Sequence, residues 1–210
     1  MLQHSEEAVR IPVDGVELEG TFDLPQDAPG VVVFAHGSGS SRKSPRNNYV
    51  AEVIRERGLG TLLFDLLTEA EDQNRQNRFD ISLLTDRLVS VTQWVWAQDP
   101  ELAVGYFGSS TGAGAALRAA ARYDDVGAVV SRGGRVDMAV DSLGDVEAST
   151  LFIVGGADTE VLQRNRQAYE RLDCERALHV VAGAGHLFEE ADELAAVATV
   201  AADWFEARLR

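Results

Sequence analysis

Six short apolar runs, rich in β-branched residues, are separated by longer stretches with helical spacing, and that alternation decides the fold class. The runs are "GVVVFAHG", "TLLFDLL", "LAVGYFG", "VGAVVS", "TLFIVGGAD" and "ALHVV". Near-continuous apolar character, as in residues 30–35, is what a strand covered on both faces requires. Between the runs lie helix signals. Ser44 can cap a helix that has Pro45 at its first position and Gly58 at its end. In "DISLLTDRLVSVTQWVWAQDP", Ile81, Leu84, Leu88, Val91 and Val95 form one buried stripe, stopped by Asp99-Pro100. Further helices are expected in "GAGAALRAAARY", over residues 159–172, and at the end, where Leu194, Val197, Ala201, Trp204 and Leu209 share a face.

Ahead of this pattern, "VRIPVDGVELEGTFDLP" reads as two alternating strands joined at Asp14-Gly15, a two-residue hairpin signal. An antiparallel start followed by strand–helix alternation implies an α/β fold: an open, mostly parallel sheet with helices on both faces. Ligands on such sheets sit beyond the carboxyl ends of the strands. There is no internal repeat, linker or low-complexity segment, so the 210 residues are expected to form one domain, long enough to bury roughly two thirds of the unfolded surface.

Composition narrows the partners. A formal charge of −15, from 34 acidic against 19 basic residues, argues against nucleic acid and anionic membrane surfaces and leaves a small molecule as the expected partner. No run approaches the ~20 apolar residues of a membrane span. The N-terminal "MLQHSEEAVR" lacks the layout of a secretory signal, so a cytoplasmic location is expected. The single cysteine, Cys174, cannot form an internal disulfide and reads as an incidental thiol. No Cys/His spacing resembles a structural zinc site, and no metal is expected. Oligomeric state is unreadable from the apolar faces.

The stretch "YFGSSTGAG" places two serines where a strand must turn sharply into a helix. A nucleophile on such an elbow takes a strained backbone conformation and needs small residues two before and two after it. Ser110 has Gly108 and Gly112 there, whereas Ser109 has Phe107 and Thr111. A serine hydroxyl needs a base, and the base needs an orienting acid. In this arrangement acid and then histidine follow at later strand ends: Asp158 after "TLFIVGG" and His186 in "HVVAGAGH". Asp137 is the competing acid. Of the other histidines, His179 lies inside a strand, His4 precedes the fold, and His36 is expected to anchor a turn. Asp65 is expected to fix a loop by hydrogen bonding.

Two backbone N–H groups are candidates for holding a developing oxyanion, that of Thr111 after the nucleophile and that of Ser38 in "HGSGS". With "FGSSTG", "GGAD" and "GAGH" in matching order, the whole chain resembles a small α/β-hydrolase of the dienelactone-hydrolase-like group. The resemblance implies an eight-stranded sheet and a Ser/Cys-Asp-His triad. Dienelactone hydrolases use a cysteine nucleophile and this chain has Ser110, so simple ester hydrolysis through an acyl-enzyme, without a cofactor, is the expectation. Thioesterase or acyl-transfer chemistry with the same triad, and a non-catalytic ligand receptor on the same fold, stay open.

At this length nothing remains for a full cap domain. The polar, irregular "LTEAEDQNRQNR", residues 67–78, is expected to be mobile, either as a lid or as a solvated loop. Arg42, Lys43 and Arg46 follow the "HGSGS" turn. Arg132 and Arg135 are candidates for binding a substrate carboxylate or phosphate; surface or capping roles are the alternative.

Lys43 is the only lysine among the 19 basic residues, so a strongly acidic surface coexists with near absence of the ammonium group. Such a surface suits high salt, where screening removes self-repulsion among carboxylates. The thermal midpoint is therefore expected to rise between about 0.1 M and about 2 M sodium chloride. An unchanged midpoint over that range would count against a high-salt habitat.

Overall fold

Residues 6–210 are described by the computed structural model, so His4 lies outside the described residues. The hairpin forms as its turn demands: β1 (Glu6–Val13) and β2 (Val16–Asp23) pair antiparallel, and Asp14 and Gly15 both have positive φ, 45° and 83°. That backbone matches the twist of the two strands. Each apolar run then becomes a strand: β3 (Gly30–Ala35), β4 (Gly60–Phe64), β5 (Ala103–Ser109), β6 (Val126–Arg132), β7 (Ser149–Gly155) and β8 (Arg176–Val181). They join one eight-stranded sheet in the order β1-β2-β4-β3-β5-β6-β7-β8, in which β2 is antiparallel to both neighbours and the remaining pairings are parallel.

Helices α1 (Pro45–Glu56), α3 (Ile81–Gln98), α4 (Thr111–Ala120), α5 (Thr159–Arg171) and α6 (Ala191–Arg208) occupy the crossovers and the end of the chain, and a four-residue α2 (Glu69–Asp72) precedes α3. Alternate residues of the central strands enter two separate cores. Val32, Phe34, Phe107, Val130 and Ile153 pack under α1 and α6, while Val31, Val33, Val104, Tyr106 and Val129 pack under α3 and α4. Ser44 caps α1 by accepting a hydrogen bond from the Asn47 N–H, with Pro45 at the first position as expected. Tyr106 is fully buried, and its hydroxyl is satisfied by Thr92 at 2.7 Å.

Residues 67–78 are more regular than expected. Thr68 and Glu71 form a capping box for α2, and Asn77–Phe79 make a 3₁₀ turn. Arg78 holds Asp72 through two bonds of 2.7 Å, while Arg87 on α3 reaches both Glu71 (2.7 Å) and the Val13 carbonyl (3.1 Å). The segment is thereby fastened to α3 and to the hairpin. A second 3₁₀ stretch, Val136–Asp145, follows β6 and was not signalled by apolar spacing.

Candidate active site

β5 delivers Ser109 and Ser110 to the carboxyl edge of the sheet, and the backbone of Ser110 takes φ 50° and ψ −119°. This region is costly for a non-glycine residue, on the order of 1–3 kcal/mol, and persists only where the surroundings impose it. Here three hydrogen bonds impose it. The Ser110 N–H donates to the Arg132 carbonyl (3.1 Å), and its carbonyl accepts from the N–H groups of Ala113 (3.1 Å) and Arg135 (2.9 Å). Clearance comes from the flanking glycines. A Cβ at Gly112 would lie 2.1 Å from the Ala35 carbonyl oxygen, and one at Gly108 would lie 2.4 Å from the Ala113 Cα.

The two serines have opposite environments. Ser109 is buried and donates its hydroxyl to Asn47 Oδ1 at 3.2 Å. Ser110 is half-buried, and within the described chain its hydroxyl makes no hydrogen bond. Asn47, in the first turn of α1, carried no sequence signal, because its partner stands 62 positions away.

Asp158 follows the Gly155-Gly156 turn after β7, and His186 follows the loop after β8. Close approach joins the two loops: a Cβ at Gly155 would lie 2.4 Å from the Ala184 carbonyl oxygen. His186 Nδ1 donates to Asp158 Oδ2 at 2.7 Å, which leaves Nε2 as the ring's acceptor. Asp158 stands at the cap position of α5, yet its side chain makes no capping bond. Residues 132 and 133 tie this pair to the elbow. Arg132 accepts from the Ser110 N–H, and Gly133, at φ 54°, leaves only enough room for the imidazole: a Cβ there would stand 3.3 Å from His186 Cε1.

The turn after β3 docks on the elbow from the other side. The Ser38 N–H donates to Thr111 Oγ1 at 2.9 Å, and a Cβ at Gly37 would lie 3.2 Å from the Ser110 Cβ. The Thr111 N–H opens α4, where no preceding turn supplies a carbonyl. His36 anchors this turn: Nδ1 donates to the Gly37 carbonyl (2.9 Å) and Nε2 accepts the Leu66 N–H (3.0 Å). Asp65 accepts the Arg42 N–H at 2.7 Å and pairs with the Arg42 guanidinium, fixing the same loop.

The remaining candidates separate. Arg135 is held by Asp137 through two bonds, 2.9 Å and 2.8 Å, and Arg164 also approaches that carboxylate. The Arg135 hydrogen bonds hold the Asp137 carboxyl below its ordinary range. Neither side chain is therefore free to reach His186 or a ligand without breaking this pair. Arg132 is buried and makes no hydrogen bond through Nε or Nη1.

Ser110 and His186 open toward solvent, with the His186 side chain 39% exposed. A cleft of about 420 Å³ lies beside the turn after β3; His36, Arg42, Asp65 and Asp72 help line it, while Ser110 and His186 do not. Among the described residues no group of three or more His, Cys, Asp or Glu is placed to hold a metal ion, and no helix is long and apolar enough to cross a membrane.

A model of the dienelactone hydrolase family matches residues 18–209. A dienelactone hydrolase from Anabaena variabilis is 51% identical, with 99% of this chain and 100% of that one covered and a TM-score of 0.96. An α/β serine hydrolase homologue from Coxiella burnetii shares the fold at 18% identity, with 94% and 96% covered and a TM-score of 0.81. Two Mycobacterium tuberculosis proteins, whose names propose a phosphoribosyl transferase, are 55% identical over 203 residues, 95% of this chain and 46% of theirs. The chain thus spans about half the length of these curated relatives.

Burial holds His36 below its ordinary value of 6.5, against the raising effect of the Gly37 carbonyl. Between that depressed value and 6.5 the unfolded chain binds a proton that the folded chain refuses, so stability falls as pH drops below 6.5. The thermal midpoint should therefore be lower at about pH 5.5 than at about pH 7.5, and His36→Asn should flatten that difference. An equal pH dependence in the variant would show that His36 does not carry it.

Proposed function

The chain belongs to the dienelactone hydrolase family, and on that premise we propose that it cleaves a small carboxylic ester through Ser110, His186 and Asp158. The observation that carries the proposal is the 2.7 Å bond from His186 Nδ1 to Asp158 beside a serine held in a strained elbow. With Nδ1–H committed to the carboxylate, Nε2 is the atom that takes the Ser110 proton as Oγ attacks the ester carbonyl. Asp158 holds the imidazole in that tautomer and stabilises the imidazolium. Hydrogen bonds between nucleophile and base commonly tighten only when substrate is bound, so a free Ser110 hydroxyl suits a resting enzyme.

The tetrahedral oxyanion is assigned to the N–H groups of Thr111 and Ser38. In the resting protein the Ser38 N–H already donates to Thr111 Oγ1, so it must share that donor with the oxyanion or release the hydroxyl. His186 then returns its proton to the leaving alcohol, and water, activated by the same imidazole, hydrolyses the acyl-enzyme. This chemistry calls for no metal or organic cofactor. The family match over residues 18–209 supports one catalytic domain, which we place in the cytoplasm, and the acidic composition supports a small molecule as its partner rather than nucleic acid or an anionic membrane surface.

Thioester hydrolysis or acyl transfer uses the same atoms and differs in what enters the open site. Phosphoribosyl transfer is carried only by the names of relatives about twice this length, and the elbow and the Asp158–His186 pair favour the hydrolase for this segment. Ser110→Ala is expected to abolish labelling by a fluorophosphonate probe and to lower turnover of p-nitrophenyl acetate by roughly three orders of magnitude or more. Undiminished labelling would refute the assignment of the nucleophile.

A further inference from the structure

We propose that Asn165 is a positioning residue for the nucleophile: from α5 it clamps the peptide unit that holds the strained backbone of Ser110. The inference deepens the ester-hydrolase reading and rests on it for the reaction that the clamp serves. The Gly134 carbonyl and the Arg135 N–H belong to one peptide unit, and both of its polar ends are occupied. The Arg135 N–H donates to the Ser110 carbonyl at 2.9 Å. At the other end, the Gly134 carbonyl accepts from Asn165 Nδ2 at 3.0 Å. A trans peptide is planar and its C=O and N–H point in opposite directions, so fixing the carbonyl fixes the direction of the N–H.

Asn165 is itself fixed. It is fully buried, and its Nδ2 also donates to the Val161 carbonyl, one helical turn earlier, at 2.8 Å. Both Nδ2 protons are thus used, and the amide cannot turn without breaking two bonds. Its Oδ1 is buried and makes no hydrogen bond within the described chain. An amide buried with one end unpaired is costly, so packing alone does not account for a polar side chain at this position. What it satisfies is a carbonyl of the loop after β6.

That loop needs a restraint from outside. Its Gly133 and Gly134 have wide backbone freedom, and any relaxation of Ser110 from its strained conformation would carry the Arg135 N–H with it. On one side the loop rests on α4: a Cβ at Gly134 would lie 2.8 Å from the Ala113 Cβ, and one at Gly114 would lie 3.0 Å from the Arg135 carbonyl oxygen. On the other side α5 holds it through Asn165. Asp158 stands at the cap of α5, seven positions before Asn165, so the two lie on one face of that helix, about 10 Å apart along its axis. One helix thereby sets both the acid that orients His186 and the peptide that supports Ser110.

The test measures the rate constant and the half-saturation concentration of fluorophosphonate labelling, well below the thermal midpoint of every protein compared. Asn165→Leu removes both bonds with an apolar group of similar shape. Asn165→Ser can still donate to the Val161 carbonyl, as serine does one turn back in helices, and is too short to reach Gly134. Both are expected to lower the labelling rate constant about tenfold or more, with half-saturation moved less than about twofold. Leu172→Ala, buried at the far end of α5, should lower the midpoint and leave labelling unchanged. Labelling at the wild-type rate in either Asn165 variant, a loss carried by half-saturation, or an equal loss in Leu172→Ala would overturn the proposal. Hydrogen exchange in wild type, followed by NMR, needs no variant: the Asn165 side-chain amide and the Arg135 N–H should exchange through one common opening. An Arg135 N–H that exchanges while the Asn165 amide stays protected would overturn the clamp, even where neither variant folds. If wild type is not labelled, the hydrolase reading fails, and the exchange measurement alone decides whether Asn165 holds the elbow.

Discussion

The fold and the chemistry meet at one crowded crossing, where the chain passes from β5 into α4 against the end of β3. A Cβ at position 112 would collide with the Ala35 carbonyl oxygen at 2.1 Å, so the first turn of α4 can pass that point only with glycine. Because the helix starts that close to the sheet, Ser110 is forced into a left-handed backbone that its bonds to residues 113, 132 and 135 maintain. The strain is local, and the supports come from α4 itself, from β6 and from the loop after it. This makes the elbow a product of the parallel sheet rather than of its own sequence alone.

The rest of the site is built by loops at the same edge. Gly133 leaves room for the His186 ring, the Gly155 turn accepts the loop before it, and the Ser38 N–H reaches Thr111 across 73 positions. Each depends on strands whose ends are level, which a parallel sheet supplies. The resulting centre is open, with a half-exposed Ser110 and an imidazole fixed by Asp158. The chain belongs to the dienelactone hydrolase family, and the relatives of about twice the length show that the module also occurs within longer proteins.

Much of this was legible in the sequence because it is locally encoded. Asp14-Gly15 specifies its turn, Ser44-Pro45 specifies a helix start, and the period of each apolar run distinguishes strands from helices. The preference for Ser110 over Ser109 followed from the size of residues two positions away, and the structure gives the two serines correspondingly different surroundings. What escaped is encoded over long range. The insertion of β4 between β2 and β3, and the ion pairs that pin residues 67–78, arise from packing between distant segments. Likewise Arg132 and Arg135 looked equivalent in "SRGGRVD". Only the direction of each side chain at the strand end separates a residue held by Asp137 from one buried without a carboxylate.

The central claim is that the strained residue of the elbow, and not its neighbour, carries the reactive hydroxyl. Mass spectrometry of the fluorophosphonate-treated protein, with fragmentation of the peptide that spans both serines, tests it most directly. The adduct is expected on Ser110, whose hydroxyl is accessible and unbonded, and not on Ser109, which is buried against Asn47. An adduct on Ser109, or on a residue away from this peptide, would contradict the account.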